Sequence, residues 1–174
     1  MKNVIKGKVA IKLGDVINSD QMFPPSYMWQ HDWEIKPKFC LTNYDPEFPE
    51  RVRPGDIIIA GKIFGHGHSH MDGLTGFQKL GVSAVTAESF SPGWYRGAIA
   101  SGFPVIACPG ITKKVNVGDE LEVNFKTSNI KNLTTGEILK AESIHPIIRE
   151  ILDAGGIAAY AEKKVGTAPS RYKK

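Results

Sequence analysis

An unbroken apolar segment that runs straight into a glycine-rich turn constrains the fold of this chain more than any other feature. Ile57–Ala60 are apolar without interruption, which is typical of a strand buried on both faces. The turn that follows reads Gly61-Lys62-Ile63-Phe64-Gly65-His66-Gly67-His68-Ser69-His70-Met71-Asp72-Gly73, and residues 72–80 predict a short helix. Glycine accepts positive φ angles and lets a backbone approach a ligand closely. We therefore predict a strand–turn–helix unit whose turn directs free N–H groups outward, where they favour an anion.

Similar patterns along the chain predict a single mixed α/β domain. In the first half we predict strands over residues 4–13, 57–60, 81–87 and 103–108, and helices over 72–80 and 92–101. In the second half we predict a strand over 120–125, a hairpin over 129–139, and a last helix that His145-Pro146 begins and Gly155-Gly156 ends. The domain is expected to span residues 1–165, with a flexible polar tail over 166–174.

Composition and charge exclude several classes of protein. The chain has 174 residues, of which 41% are hydrophobic and 23% charged, as in a soluble globular domain. Its apolar runs are too short to span a bilayer and no signal-peptide pattern opens it, so no membrane role and a cytoplasmic location are expected. The net charge is +4, but five of the 22 basic residues lie in the segment 163–174 and the others are dispersed. We therefore predict no nucleic-acid partner.

The cysteines set a limit on metal chemistry within this chain. Cys40 and Cys108 are far apart and form no Cys-x-x-Cys motif. Two thiols at this spacing cannot by themselves form a zinc site or hold an iron–sulfur cluster. We predict that both are buried free thiols.

Five segments of the chain resemble motifs of one known family, in the family's order. Residues 14–21 resemble its opening G-D-x-I-x-T-D, and residues 52–62 match V-K-P-G-D-I-I-V-A-G-K almost throughout. Residues 81–90, 95–105 and 151–156 resemble G-V-x-A-V-I-A-x-S-F, Y-R-N-A-x-x-x-G-L-P and I-L-x-A-G-G. The family is the small subunit of the isopropylmalate isomerase and homoaconitase type, the free-standing swivel domain of the aconitase superfamily.

The resemblance covers about residues 4–165 and implies both a fold and an activity. The implied fold is a single swivelling β/β/α three-layer domain, as in the C-terminal domain of aconitase. The implied activity is that of a hydro-lyase (dehydratase or isomerase) on a small 2-hydroxy acid of the alkyl-malate type. It would require a separate large subunit that holds a [4Fe–4S] cluster, with no cluster bound by this chain. The alternative is a non-catalytic or regulatory swivel-domain subunit.

The chain departs from the family in the glycine turn itself. The family has G-x-G-S-S-R-E there, in which the first serine is the base and the arginine clamps a carboxylate. His68 stands in place of that serine, Ser69 keeps the second serine, and His70 stands in place of the arginine. The resemblance therefore implies catalytic roles for His68 and Ser69, and substrate binding by Gly65, Gly67 and His70. Without arginine the turn lacks a permanently charged, bidentate carboxylate clamp.

Three interpretations of the histidines remain open. In the first, His68 is the general base and His70 a weaker anion donor, since imidazole titrates near neutral pH. In the second, the turn is structural and the subunit is not catalytic. In the third, His66, His68 and His70 bind a metal, because alternate residues of an extended segment point the same way and imidazole suits zinc or nickel.

A long aromatic loop over residues 18–45 supplies the second candidate region. The family has R-Y-L-x-T here, and its variable residue x senses the γ-group of the substrate. This chain has Ser26-Tyr27-Met28-Trp29-Gln30, with Trp29 at the variable position. The resemblance thus implies that Tyr27 and Trp29 bind substrate. A tryptophan packs against an apolar group and cannot pair with a γ-carboxylate. The alternative is that Trp29 and Trp33 only anchor the loop on the core.

Overall fold

A computed structural model describes residues 3–32, 34–68 and 71–165 of the chain. Its strands are β1 (Val4–Lys12), β2 (Ile57–Ala60), β3 (Ala84–Ala87), β4 (Val105–Ala107), β5 (Glu120–Asn124), β6 (Asn129–Asn132) and β7 (Ile138–Lys140). Its helices are α1 (Ser19–Met22), α2 (Phe48–Arg51), α3 (Asp72–Lys79), α4 (Pro92–Ala100), α5 (Pro146–Ala154) and α6 (Ile157–Val165). Short 3₁₀ turns cover Pro25–Tyr27, Lys36–Phe39 and Ile111–Lys113.

The strands form one sheet of mixed direction in the order β4-β3-β2-β1-β5-β6-β7. The first four strands are parallel: the long loop with α1 and α2 crosses over between β1 and β2, and α3 and α4 cross over between β2, β3 and β4. β5 runs antiparallel to β1 and begins a meander through β6 and β7. The predicted mixed α/β architecture and the predicted hairpin are thereby confirmed.

The buried strand β2 separates the core into two apolar clusters. Ile58 and Ala60 belong to a cluster with Phe77, Trp94 and other residues from α3, α4 and the long loop. Ile57 and Ile59, which alternate with them along the strand, pack instead with residues of β5, β6 and β7: Leu121, Val123, Ile130 and Leu139. The sheet therefore curls so that its antiparallel part covers one face of its parallel part, while helices cover the other. This gives the expected β/β/α layers.

The prediction that the helix at His145-Pro146 is the last one is wrong. Gly155 ends α5 in the left-handed region at φ +92°, and its N–H donates to the carbonyl of Ile151. α6 then follows directly, and none of its residues is buried. A helix without a buried apolar face has no hydrophobic periodicity from which it could be predicted. The predicted tail over 166–174 lies outside the described residues.

Both cysteines are buried free thiols, as predicted. They lie in different clusters, Cys40 on the helical side and Cys108 on the side of β5 to β7. Burial raises the pKa of the Cys40 thiol to about 12, and the negative charge of Asp72 adds to this. Burial and the charge of Glu88 raise the pKa of Cys108 to about 11. Both side chains are therefore protonated at neutral pH.

Among the described residues, no helix is long and apolar enough to cross a membrane.

Candidate functional site

The turn after β2 lies at the carboxyl edge of the parallel strands, where it joins the connection after β1. We refer to residues 61–68 as the glycine loop. The N–H groups of Gly65 and His66 both donate to the carbonyl of Ile17, at 2.9 and 3.1 Å. In return, the N–H of Ser19 donates to the carbonyl of His66 at 2.9 Å. The glycine loop is therefore hydrogen-bonded to the β1–α1 connection along most of its length.

The other side of the glycine loop is fixed by the connection after β3. The N–H of Phe64 donates to the carbonyl of Ser89 at 3.0 Å, and the N–H of Ser91 donates to the carbonyl of Phe64 at 2.8 Å. The Ser89 hydroxyl also accepts from the N–H of Ile63 at 2.9 Å. Three neighbouring connections thus meet outside the carboxyl ends of parallel strands, which is the usual position of ligand sites in α/β proteins.

Two glycines of this loop are required for different reasons. Gly65 has φ +87°, and a Cβ there would overlap the Cβ and Cγ atoms of Trp94. The Trp94 ring is buried and packs edge-on against Phe64, with ring centroids 4.8 Å apart. Gly67 has φ +95°, but among the described residues the nearest atom to a Cβ there would be Ser19 Oγ at 3.4 Å. Gly65 is therefore fixed by packing and by conformation, and Gly67 by conformation alone.

Two of the predicted histidines, His66 and His68, lie at the exposed end of the glycine loop. His66 and His68 are both exposed, and His68 stands four positions before the first residue of α3. Ser69 and His70 lie outside the described residues, so their predicted roles are not tested. Among the described residues, no group of three or more His, Cys, Asp or Glu side chains could hold a metal ion. The proposed trio of His66, His68 and His70 is only partly within that range and remains a prediction.

The long loop places its two predicted substrate residues in different surroundings. The Tyr27 ring stacks on Phe39, with centroids 3.6 Å apart and planes 8° from parallel. Trp29 keeps 83% of its surface exposed. The interpretation that Trp29 anchors the loop on the core is therefore wrong, while Trp33 lies outside the described residues. An indole exposed to this extent is free to contact a ligand.

A buried ion pair lies next to the site and is not predicted by any sequence pattern. The Lys36 ammonium contacts the carboxylate of Asp72, the first residue of α3, and both side chains are largely shielded from solvent. The same ammonium lies 5.5 Å from the centre of the Phe23 ring. The pair ties the long loop to the helix that the glycine loop leads into. No local pattern could reveal it, because its partners are 36 positions apart.

A second missed residue is Glu88, which follows β3 directly. The pKa of Glu88 is lowered, mainly by a hydrogen bond from the Thr112 hydroxyl. Desolvation of the carboxylate opposes this shift. The N–H groups of Gly110 and Thr112 and the charge of Lys62 act in the same direction as that hydrogen bond. Glu88 is therefore a fixed carboxylate that links the connections after β3 and β4 at this edge of the sheet.

Comparison with known proteins agrees with this geometry. No family model matches the chain. It is 47% identical over 165 residues to the "Isopropylmalate/citramalate isomerase small subunit" of Methanocaldococcus jannaschii, covering 95% of this chain and 98% of that protein. The chain belongs to the isopropylmalate dehydratase small-subunit family. It is also 37% identical over 164 residues to "3-isopropylmalate dehydratase small subunit 1" of Methanopyrus kandleri, covering 94% of this chain and 96% of that protein.

The fold is shared with a solved member of the family. A crystal structure of 3-isopropylmalate dehydratase from Methanocaldococcus jannaschii matches this chain with a TM-score of 0.86 at 32% sequence identity. The match covers 93% of this chain and 95% of that one. The resemblance stated from the five motifs and the expected swivel-domain fold are therefore confirmed.

Proposed function

We propose that this chain is the small subunit of a two-subunit hydro-lyase that acts on a small 2-hydroxy acid of the alkyl-malate type. The observation that carries the proposal is the end-to-end match, at 47% identity, to a relative named as an isomerase small subunit. The geometry supports it, because the glycine loop is rigidly hydrogen-bonded on both sides while its histidines face solvent. Such a loop can close a site whose remaining wall belongs to another protein.

The large subunit is proposed to hold the [4Fe–4S] cluster that this type of reaction requires. The thiols of this chain do not fit that role, because Cys40 and Cys108 are buried in separate clusters and protonated at neutral pH. When bound, the cluster supplies a Lewis acid for the hydroxyl group of the substrate. The remaining work falls to the residues of the glycine loop.

Within this chain we assign proton transfer to His68 and orientation of the substrate to its neighbours. His68 is proposed to take a proton from the substrate carbon, in the place of the family's serine, with Ser69 beside it. Gly65 and Gly67 let the backbone lie close to a substrate carboxylate, and His70 is proposed to donate to that carboxylate. Tyr27 and Trp29 are proposed to face the γ-substituent.

The proposal is tested by reconstitution. The purified chain alone is expected to be colourless and inactive, and to give activity when mixed with a cluster-bearing large subunit from the same organism. The assay follows the ultraviolet absorbance of the alkene product formed from an alkyl-malate. A stable iron–sulfur absorption band and turnover by the isolated chain would contradict the proposal. A complex that forms but remains inactive would favour the non-catalytic, regulatory alternative.

The role assigned to Trp29 gives a specificity prediction. Trp29→Arg is expected to shift relative kcat/KM toward a substrate with a γ-carboxylate by roughly 10-fold or more, because it exchanges an apolar contact for a charge pair. Folding should be little affected, since the side chain is exposed. The matched control is Ile138→Arg on β7, at the far end of the sheet, which should leave the preference unchanged. An unchanged preference in Trp29→Arg would remove this residue from the substrate site.

A further inference from the structure

Two β-branched residues, one in the glycine loop and one in the connection bonded to it, adopt a backbone conformation that their side chains disfavour. Val16 and Ile63 both have φ +56°. In this left-handed region the Cβ atom crowds the backbone, and branching at Cβ makes the crowding worse. Glycine, asparagine and aspartate adopt the same conformation more easily. The chain therefore holds two unfavourable residues at positions where better-suited residue types exist.

Hydrogen bonds prevent either residue from relaxing. The N–H of Val16 donates to the carbonyl of Lys62 at 2.7 Å, and the N–H of Lys62 donates to Asp15 Oδ1 at 2.7 Å. The N–H of Ile63 donates to the Ser89 hydroxyl. The two strained residues thus lie on adjacent, mutually bonded connections at the carboxyl edge of the sheet.

Comparison with a third strained residue shows what is unusual about this pair. Leu41 has φ +59° and is fully buried, so burial of its side chain in the core offsets the backbone strain. Val16 and Ile63 keep 48% and 45% of their surfaces exposed. Within this chain, their apolar side chains gain little that could offset the same strain. Such strain persists where the residue serves a function.

We propose that Val16 and Ile63 form an anchor pair that docks against the large subunit. The proposal rests on the proposed function, because the relatives' names as small subunits supply the partner. The position agrees with it. Ile63 lies in the glycine loop, and Val16 directly precedes Ile17, whose carbonyl accepts from the N–H groups of Gly65 and His66. Exposed apolar side chains on a fixed backbone are suited to anchor an interface, since little entropy is lost when they bind.

The test separates strain from apolar contact with two double variants. Val16→Asn/Ile63→Asn relieves the strain and removes the apolar groups. We expect the melting temperature of the isolated chain to rise by roughly 2–4 °C and the Kd for the large subunit to increase at least about tenfold. Val16→Ala/Ile63→Ala removes the apolar surface and the branching but keeps a Cβ at positive φ, and is expected to weaken binding with a smaller gain in melting temperature than the asparagine variant. Ile138→Asn, which is 64% exposed on β7, is the matched control and should change the Kd little.

The outcomes distinguish this inference from the proposed function. Melting temperature is measured by calorimetry, and the Kd by titration with the purified large subunit. If the wild-type chain forms an active complex and both double variants bind as tightly as it does, the anchor pair is refuted while the proposed function stands. If the wild-type chain forms no complex with the large subunit, both proposals fail. Weaker binding by both double variants, with Ile138→Asn unchanged, supports the anchor pair.

Discussion

Replacing His68 by alanine is expected to lower kcat of the reconstituted complex by roughly 10²- to 10⁴-fold, the usual contribution of a general acid–base residue. His68 occupies the position of the family's basic serine, at the exposed end of a loop that hydrogen bonds fix on both sides. The backbone of the loop does not depend on this side chain. The loss should therefore fall on kcat, with a smaller change in KM, as measured by steady-state kinetics of the complex.

Two neighbouring substitutions make the experiment specific. His66→Ala is the matched control, because His66 is also exposed and also in the glycine loop but fills a variable position of the family motif. It should reduce kcat much less. His68→Ser restores the family residue, and partial activity would show that the two side chains share a role. Near-full activity of His68→Ala would contradict the assignment. Binding of one zinc ion by the isolated chain would then favour the metal interpretation.

The strands could be predicted because their burial leaves a simple pattern. Ile57–Ala60 matches β2 residue for residue, since an unbroken apolar run bounded by turn residues fits a strand buried on both faces. β3 begins at Ala84, three residues later than predicted. The preceding residues still belong to the turn that ends α3, because Gly81 has φ +78° and the N–H of Val82 donates to the carbonyl of Phe77 in that helix. Apolar residues in such a turn cannot be told from strand residues by pattern alone.

α6 could not be predicted from the sequence pattern. This helix is held at its surface rather than by a core: Lys164 pairs with Glu150 of α5 at 3.1 Å, and Tyr160 donates to the same carboxylate at 3.3 Å. Surface ion pairs contribute little to stability and follow no apolar period. The preceding Gly155-Gly156 was correctly predicted to end α5, but a second helix after it required knowledge of the tertiary structure.

The candidate site can be predicted from sequence because its glycines, histidines and family motif are contiguous. The features that fix its shape are not contiguous. The contact of Lys36 with Asp72 and the hydrogen bond between Val16 and Lys62 join distant segments. The positive φ of Ile63 cannot be predicted from sequence either, because a β-branched residue normally favours strands. The sequence therefore predicts which residues carry the chemistry, and the structure shows what holds the described part of the glycine loop in place.

The packing that fixes the glycine loop gives the largest expected effect on stability. Gly65→Ala is expected to lower the free energy of unfolding by about 2–5 kcal/mol, of which about 1–2 kcal/mol comes from the positive φ and about 1–3 kcal/mol from overlap with Trp94. Trp94 cannot move aside easily, because it is buried and its ring packs against Phe64 and Phe90. The measurement is urea unfolding of the isolated chain.

Comparison with Gly67→Ala isolates the contribution of packing to the loss of stability. This variant shares the positive φ and the same change in the unfolded chain, but a Cβ at this position meets no atom of the described part of the chain closer than 3.4 Å. Its loss should stay near 1–2 kcal/mol, so the difference between the two variants measures the overlap with Trp94. Activity of the complex should fall further in Gly65→Ala, because a displaced Phe64 would break the bonds to Ser89 and Ser91 that position the loop. Equal losses of stability in the two variants would show that the loop moves away from Trp94 freely, and that packing does not fix the site.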